Sequence, residues 1–160
     1  MKNINYVFKS FSKINFGLKV FNRRKDEYHN INSIFIELDF HDILTFSPSK
    51  KFEFICNNKL VPANNTVSAA YHALNNEFDF NQHYKINLKK NIPIGSGLGG
   101  GSSNAACTLK ALTKLLKLNI SNEDLRNIAL NIGSDVPFFL NGGSQLIGGR
   151  GEIVKKIIKK

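Results

Sequence analysis

The residues with the clearest chemical meaning form a glycine-rich segment, 93–106, with the sequence PIGSGLGGGSSNAA. Five of its first nine residues are glycine. Glycine has no Cβ, so a backbone rich in it can turn sharply and lie close to a ligand. The segment lies between a predicted strand and a predicted helix, and the free N–H groups at a helix N-terminus bind anions. We therefore predict that it holds phosphate, in preference to being a flexible loop with good helix capping.

Two common phosphate-binding motifs do not account for this segment. A Walker A loop needs a Lys after its last glycine, and none follows here. Gly95, Gly97 and Gly100 satisfy GxGxxG, the dinucleotide fingerprint. That fingerprint also needs a second parallel strand after the helix, with an acidic residue about 20 positions on. The chain instead continues into another helix, capped by Ser121, so dinucleotide binding is not favoured.

The first 60 residues are predicted to be strands, because apolar and polar residues alternate along them. Lys13 and Asn15 belong to one alternating set and project to the same side of the first strand. A polar turn, 22–26, separates this strand from a second one at 34–40, which predicts an antiparallel pair. Further strands are predicted around Phe54 and Ile86.

Three helices are predicted downstream from apolar residues at helical spacing. The first begins near Val67 and is capped by Asn64 or Asn65, the second spans 103–118 with Ser102, Ser103 and Asn104 as capping side chains, and the third begins after Ser121 and ends at Gly133. Strands followed by mixed helices and strands predict an α+β fold, with a largely antiparallel sheet covered by helices on one face. The tail, 148–160, is a further strand or a linker.

Composition excludes several classes of protein. The 160 residues are 42% hydrophobic and 21% charged, which is typical of one globular domain. No membrane span and no signal-peptide core are visible, so we expect a cytoplasmic protein with no membrane partner. Cys56 and Cys107 are expected to be ordinary apolar residues, and the four histidines show no zinc spacing, so no protein-held metal site is expected. The net charge of +10 favours an anionic partner without choosing one.

The glycine-rich segment closely resembles the phosphate loop of the GHMP kinases. Three further segments extend the likeness in the same order, namely FSKINFGL at 11–18, Glu27-Tyr28-His29, and GSDVP at 133–137. Together they are similar to the 4-diphosphocytidyl-2-C-methyl-D-erythritol kinases of non-mevalonate isoprenoid synthesis. The resemblance implies a ribosomal-protein-like fold and ATP-dependent phosphorylation of a hydroxyl on a cytidine-diphosphate-linked polyol, with Mg2+ bound to the nucleotide.

The resemblance also implies roles for two charged residues. Asp135 matches the catalytic general base, and Lys13 would lie beside it and balance charge as the phosphoryl group moves. From sequence alone, Asp135 is equally an N-cap before a proline-started helix, and Lys13 is an exposed strand lysine.

Binding residues follow from the same match. The residues implied to bind ATP are Pro93, Gly95, Gly97, Leu98, Gly99, Gly100, Gly101, Ser102, Ser103, Asn104 and Asn65, the last of which is otherwise a plain helix cap. Ser102 or Ser103 is a candidate ligand for the metal or a phosphate. Tyr28 and His29 match positions that hold the cytosine, although they also suit a hairpin hydrophobe and a turn residue. Asn15 would hydrogen-bond the substrate.

Members of this family have a second, C-terminal domain that completes the cleft. Residues 1–160 resemble the N-terminal ATP-binding domain, with the other domain absent or supplied by another chain. We therefore expect this chain alone to bind ATP weakly and to turn over slowly or not at all. Two alternatives are a basic RNA-binding module of the same fold and a non-catalytic remnant. The chain lacks an arginine cluster and an aromatic-rich strand motif, so no nucleic-acid partner is expected.

Overall fold

A computed structural model describes residues 4–23, 29–149 and 153–156 of the chain. Its six strands are β1 (Tyr6–Arg23), β2 (His29–Ser49), β3 (Glu53–Cys56), β4 (His83–Lys89), β5 (Ser144–Gly149) and β6 (Ile153–Lys156). The four helices are α1 (Thr66–Phe78), α2 (Gly100–Leu115), α3 (Asn122–Ile132) and α4 (Val136–Asn141). The predicted α+β fold is confirmed.

The strands form one sheet organised around the long strand β2. Strand β1 pairs with β2 along nearly its whole length, and β4 and β5 pair with the two ends of β2 on its other edge. The order β3-β4-β2-β5-β6 completes the sheet, with β1 off this path. All of these pairs are antiparallel except β3 with β4. The sheet is therefore largely antiparallel, as predicted.

The helices lie against one face of this sheet, and α2 is central to them. It contacts β1, β2 and the other three helices. The core consists of the apolar stripes of α1 and α2 together with inward-facing strand residues; its fully buried side chains include Leu44, Phe46, Ile86, Val67, Leu74, Leu109, Leu112 and Phe138. Side chains on the opposite face of the sheet are exposed; Phe16, for example, is 65% exposed.

Two helix boundaries follow the predicted capping pattern. Asn65 caps α1, since its Oδ1 accepts hydrogen bonds from the backbone N–H groups of Val67 and Ser68. Ser121 caps α3 by accepting the N–H of Asp124 at 3.0 Å, and α3 ends at Gly133. Local side-chain chemistry therefore fixes where these helices begin.

The predicted start of α2 is wrong. The helix begins at Gly100, three residues before the predicted Ser103, and ends at Leu115 instead of at residue 118. Its N-cap is Gly99 in the left-handed conformation, and no side chain caps it, so Ser102, Ser103 and Asn104 lie inside the first turns and are not caps. The sequence pattern predicted the wrong start because Gly100 and Gly101 are poor helix formers. Their place in the helix depends on tertiary contacts.

Lys13 of β1 faces the helix layer next to an irregularity in the sheet. The pairing of β1 with β2 shifts between Phe11, which pairs with His41, and Ser12, which pairs with Leu38, so that Asp39 and Phe40 of β2 are skipped. Just after this shift Ser12 and Lys13 are both buried, at 0% and 4% exposure, whereas Ile14 is 39% exposed. Regular alternation would place two consecutive side chains on opposite faces, so it is the irregular pairing that accommodates a lysine in the interior.

Candidate active site

The glycine-rich segment lines a cavity of about 450 Å³. The wall opposite the loop comes from the segment before α1 and from its first residues, among them Leu60, Val61, Pro62 and Thr66. Leu88 and Lys90, at the end of β4, complete the wall. The cavity thus joins an apolar side, provided by 60–62, to a side made of bare loop backbone. This combination suits a ligand with an aromatic ring and an anionic tail.

The loop uses glycine for backbone conformation and for close approach. Gly95, Gly97 and Gly99 have φ between +72° and +76°, a region that other residues rarely adopt. A Cβ on Gly99 would lie 2.8 Å from the Phe139 ring and 3.1 Å from Cε of Lys13. At Gly100 it would lie 2.7 Å from Nζ of Lys90. Substitution at either position must therefore displace a neighbouring side chain.

Two helix N-termini meet at the cavity. Thr66, the first residue of α1, donates its hydroxyl to the carbonyl of Gly101 in α2 at 2.7 Å. Gly99–Ser102, at the start of α2, line the cavity, and no side chain caps that helix, so its first N–H groups and its positive dipole end lie at the cavity without a side-chain acceptor. Anionic oxygen atoms are the natural partners of such a site.

Lys13 is held by three groups around its ammonium. Nζ donates to Oδ1 of Asn15 and lies 3.3 Å from Oδ2 of Asp135. It also lies 4.3 Å from the ring centroid of Phe35, which is the distance of a cation–π contact. Burial and this set of partners leave the ammonium little freedom to move.

Asp135 is placed at the start of α4 without acting as a cap. It is the N-cap residue by position, but its side chain makes no capping hydrogen bond. The carboxylate is 31% exposed and forms the ion pair with Lys13. Pro137 in the first turn lacks an N–H, so less capping is needed there. The carboxylate is therefore available to an incoming group.

The ion pair adjoins the loop. The backbone N–H of Lys13 donates to the carbonyl of Leu98 at 2.9 Å, which ties β1 to the glycine segment. Gly99 touches both the Lys13 side chain and Phe139 of α4. The structure thus brings together Lys13, the loop, which begins 80 residues after it, and Asp135, which lies 122 residues after it.

The polar residues that follow the glycines differ in what their side chains do. Ser103 is 3% exposed and its hydroxyl accepts a hydrogen bond from Ser10 at 2.7 Å. Asn104 is 2% exposed and donates to Ser10 and Asp42. Ser102 is half-buried and lines the cavity. Of the two serines, Ser102 is thus the one whose position suits a ligand in the cavity.

The remaining predicted residues have different outcomes. Asn65 lines the cavity, but its side chain caps α1 and donates to the carbonyls of Pro62 and Ala63. Pro93 and Gly95 also line the cavity. Asn15 contacts Lys13 and is exposed. The binding roles predicted for these residues stay predictions.

The predicted cytosine residues fall where little is described. Tyr28 lies outside the described residues. His29 begins β2, where its backbone pairs with Arg23, and its side chain is not described. Their role in binding cytosine stays a prediction.

Sequence reasoning missed several residues that build this site. Phe35 lies under Lys13, and Asp42 and Lys90 form a buried ion pair behind the loop. Leu60 and Val61 supply the apolar wall. Phe35 and Asp42 lie in a strand with an unremarkable pattern, so only the pairing of β2 with its neighbours reveals them. The one available signal was an acidic residue, Asp42, between apolar residues of a core strand.

The described residues show neither a metal-binding cluster nor a membrane-spanning helix. Within the described part of the chain, no group of three or more His, Cys, Asp or Glu residues could hold a metal ion. None of the helices described is both long enough and apolar enough to cross a membrane.

Comparison with known families gives the site a context. Residues 65–143, which include the loop, Asp135 and all of α4, match the family described as the GHMP kinases N terminal domain. The chain carries a GHMP kinase N-terminal domain. The similarity to this superfamily noted from the sequence is thereby confirmed.

Curated relatives of this GHMP kinase domain have one name in common. The chain is 44% identical over 148 residues to the 4-diphosphocytidyl-2-C-methyl-D-erythritol kinase of Thermotoga petrophila, covering 92% of this chain and 54% of the relative. It is 41% identical over 146 residues to the enzyme of that name from Caldanaerobacter subterraneus, covering 90% of this chain and 51% of the relative. The chain thus spans about half the length of these relatives.

Solved structures agree with the fold. A crystal structure of 4-(cytidine 5'-diphospho)-2C-methyl-D-erythritol kinase superposes with a TM-score of 0.85 at 33% identity, covering 95% of this chain and 55% of that one. The crystal structure of Methanococcus jannaschii mevalonate kinase superposes with a TM-score of 0.73 at 15% identity, covering 99% of this chain and 57% of that one. At that identity the second match supports the shared fold of the GHMP kinase domain.

Proposed function

We propose that this chain is the ATP-binding part of a kinase that phosphorylates the 2-hydroxyl of 4-diphosphocytidyl-2-C-methyl-D-erythritol, in non-mevalonate isoprenoid precursor synthesis. The observation that most strongly supports this proposal is the ion pair of Lys13 and Asp135 beside the glycine loop. A phosphate-binding backbone adjoining a carboxylate and an ammonium is what phosphoryl transfer to an alcohol requires. The name shared by the relatives indicates the substrate.

We propose one orientation for the nucleotide in the cavity. The apolar wall at 60–62 suits the adenine ring, and the loop with the N-termini of α1 and α2 suits the triphosphate. This places the terminal phosphate toward Gly99, which contacts Lys13. ATP would therefore direct its reactive end at the ion pair.

Asp135 is the proposed general base. Its carboxylate is partly exposed and is not engaged in capping, so it can accept the proton of the substrate hydroxyl as oxygen attacks phosphorus. Lys13 stabilises negative charge that spreads over the transferred group. Because the transition state is loose, accurate placement of these groups contributes most of the rate.

Mg2+ is proposed to arrive with ATP, since the residues described include no cluster that could hold a metal alone. When bound, the ion neutralises part of the triphosphate charge. Ser102 is the loop side chain that would reach it, because Ser103 is buried against Ser10.

The polyol site is proposed to extend beyond this GHMP kinase domain. Asn15, Tyr28 and His29 are proposed to contact the substrate, the last two at its cytosine. The chain matches about half the length of its relatives. We propose that a segment corresponding to their other half, on the same polypeptide or on another, closes the cleft. Both substrates are charged metabolites of the cytoplasm, where we propose the reaction occurs.

The test compares the unaltered chain with two variants and a control variant. MgATP binding is measured by calorimetry, and phosphoryl transfer to the cytidine-diphosphate-linked polyol is followed by mass spectrometry. The unaltered chain should bind MgATP and transfer phosphate far below the roughly 1–100 s⁻¹ of typical kinases. Asp135→Asn should keep ATP affinity within about threefold and lower any transfer by about 10²-fold or more, because the base is lost.

Gly99→Val supplies the complementary change, since its side chain would displace Phe139 and Lys13 and abolish ATP binding. Gly143→Val is the matched control, because Gly143 also has positive φ but has open space around it and lies outside the cavity. A chain that binds no MgATP, or an Asp135→Asn variant as active as the parent, would contradict the proposal.

The RNA-binding alternative makes a different prediction. RNA affinity that falls steeply with salt, without ATP binding, would support it. The relatives described above are kinases, which favours the first proposal.

A further inference from the structure

A second charged pair lies behind the glycine loop, away from the Lys13 ion pair. Asp42, in the middle of β2, is fully buried, and Lys90, just after β4, has a side chain that is 7% exposed. Charged residues are almost never fully buried unless they are paired, because removing them from water is costly. The proposed chemistry uses neither residue, so their burial calls for another explanation.

The carboxylate of Asp42 accepts hydrogen bonds from four donors in two parts of the chain. Oδ1 accepts the backbone N–H groups of Asn91 and Ile92 at 2.7 and 2.8 Å. Oδ2 accepts Nδ2 of Asn104 at 2.9 Å and Nζ of Lys90. One side chain thus joins residues 90–92, which link β4 to the glycine segment, to the second turn of α2.

These donors lie at both ends of the loop. Asn91 and Ile92 immediately precede Pro93, and Asn104 lies two residues after Ser102, the last serine that lines the cavity. Between these two anchors lies a segment whose glycines give it large conformational freedom when it is not fixed. A binding site built from such backbone pays an entropy cost unless it is ordered before the ligand arrives.

Lys90 connects this anchor to the cavity. It lines the cavity, and its Nζ is 2.7 Å from the position that a Cβ of Gly100 would occupy. An ammonium close to the positive end of α2 is unfavourable by itself, and the Asp42 carboxylate offsets that charge. Asp42 therefore fixes both the backbone and a cation at the anion-binding end of the helix.

We propose that Asp42 is a positioning residue that holds segment 91–104 in its anion-binding conformation before nucleotide binds. This inference rests on the proposed function for its ligand, ATP. Its structural part, the ordering of the loop, concerns the free protein. The two parts can therefore be tested separately.

The test uses Asp42→Asn, which keeps the size of the side chain. Asparagine still presents one acceptor, but its NH2 group would face the two donors Lys90 and Asn104. Amide hydrogen exchange of the ligand-free chain should show at least tenfold less protection at Asn91, Ile92 and Ser103, whose N–H groups are hydrogen-bonded, with unchanged protection in β5 and α3. The dissociation constant for MgATP should rise at least tenfold.

Asp39→Asn is the matched control, because Asp39 lies on the same strand with a side chain that is 85% exposed. Asp39→Asn should change neither the amide protection of the loop nor the dissociation constant for MgATP. Unchanged loop protection in Asp42→Asn, or an equal loss throughout the chain, would overturn the proposal. If Asp42→Asn does not fold, the same measurements on Asn104→Ala test the proposal. That substitution removes one hydrogen bond to Asp42 without leaving a buried charge unpaired. If the parent chain binds no ATP, the proposed function fails, and hydrogen exchange still tests the loop anchor.

Discussion

Lys13 shows how much of this site depends on the surroundings of single residues. Its ammonium has a carboxylate, an amide oxygen and an aromatic ring as neighbours, and its backbone N–H holds the loop. A lysine rarely loses nearly all exposure to water without such partners. The same side chain therefore supports the loop structurally and faces the site where charge would develop.

The two cysteines allow a residue-level test of the core. Burial raises the pKa of the Cys107 thiol to about 12, an effect that nearby Lys110 only partly opposes. At pH 8 roughly one molecule in 10⁴ would carry the reactive thiolate. Cys56 is only partly buried.

Iodoacetamide should therefore modify Cys56 in the native protein and leave Cys107 unmodified until the chain unfolds. Below its pKa, each added pH unit raises the thiolate fraction of Cys107 tenfold, so any slow labelling there should accelerate as pH rises. Peptide mapping by mass spectrometry identifies the sites. Equal labelling of both thiols at pH 8 in the native protein would mean that α2 does not pack against β1 as described.

At the scale of elements, α1 serves the site through its first turn. Asn65 caps the helix with two hydrogen bonds and also holds the preceding segment through the carbonyls of Pro62 and Ala63. That segment is the apolar wall of the cavity. The cap thus couples helix stability to the shape of the proposed adenine site.

Asn65→Ala should lower the free energy of unfolding by about 1 kcal/mol, since it removes the acceptor for the helix N–H groups. Urea denaturation followed by circular dichroism measures this loss. Asn64→Ala, at the exposed neighbouring position, is the control and should change stability by less than about 0.5 kcal/mol. A loss of equal size in both variants would contradict the capping role of Asn65.

Element prediction from the sequence succeeded where the determining interactions are local. The stripes of α1 and α3 and their caps at Asn65 and Ser121 are properties of a few consecutive residues. The start of α2 could not be predicted in this way, because Gly100 and Gly101 are helical through contacts with α1 and β4.

The site was partly predictable for a related reason. The glycine pattern and the similarity to a family indicated the loop, Lys13 and Asp135. The inward direction of Lys13 depends on an irregularity in the pairing of β1 with β2, and the anchoring position of Asp42 depends on the pairing of β2 with β4. Such long-range pairings leave no clear mark on the residues themselves.

At the scale of the molecule, the fold brings the site together from distant parts of the chain. Strand β2 pairs with β1, β4 and β5, so it fixes the positions of Lys13, the loop that follows β4 and the α4 turn that precedes β5. The net charge of +10 adds a general attraction for anionic ligands, which salt would screen. The loop supplies the specific contact.

The central claim is that this loop binds the triphosphate of ATP beside Lys13 and Asp135. The most direct measurement is a titration of the isotopically labelled chain with MgATP, followed by amide chemical shifts. The largest shifts should occur at residues 97–102 and at the first turn of α1, with little change in α3 and β3. Shifts absent from the loop, or concentrated on the sheet face that carries Phe16, would contradict the account.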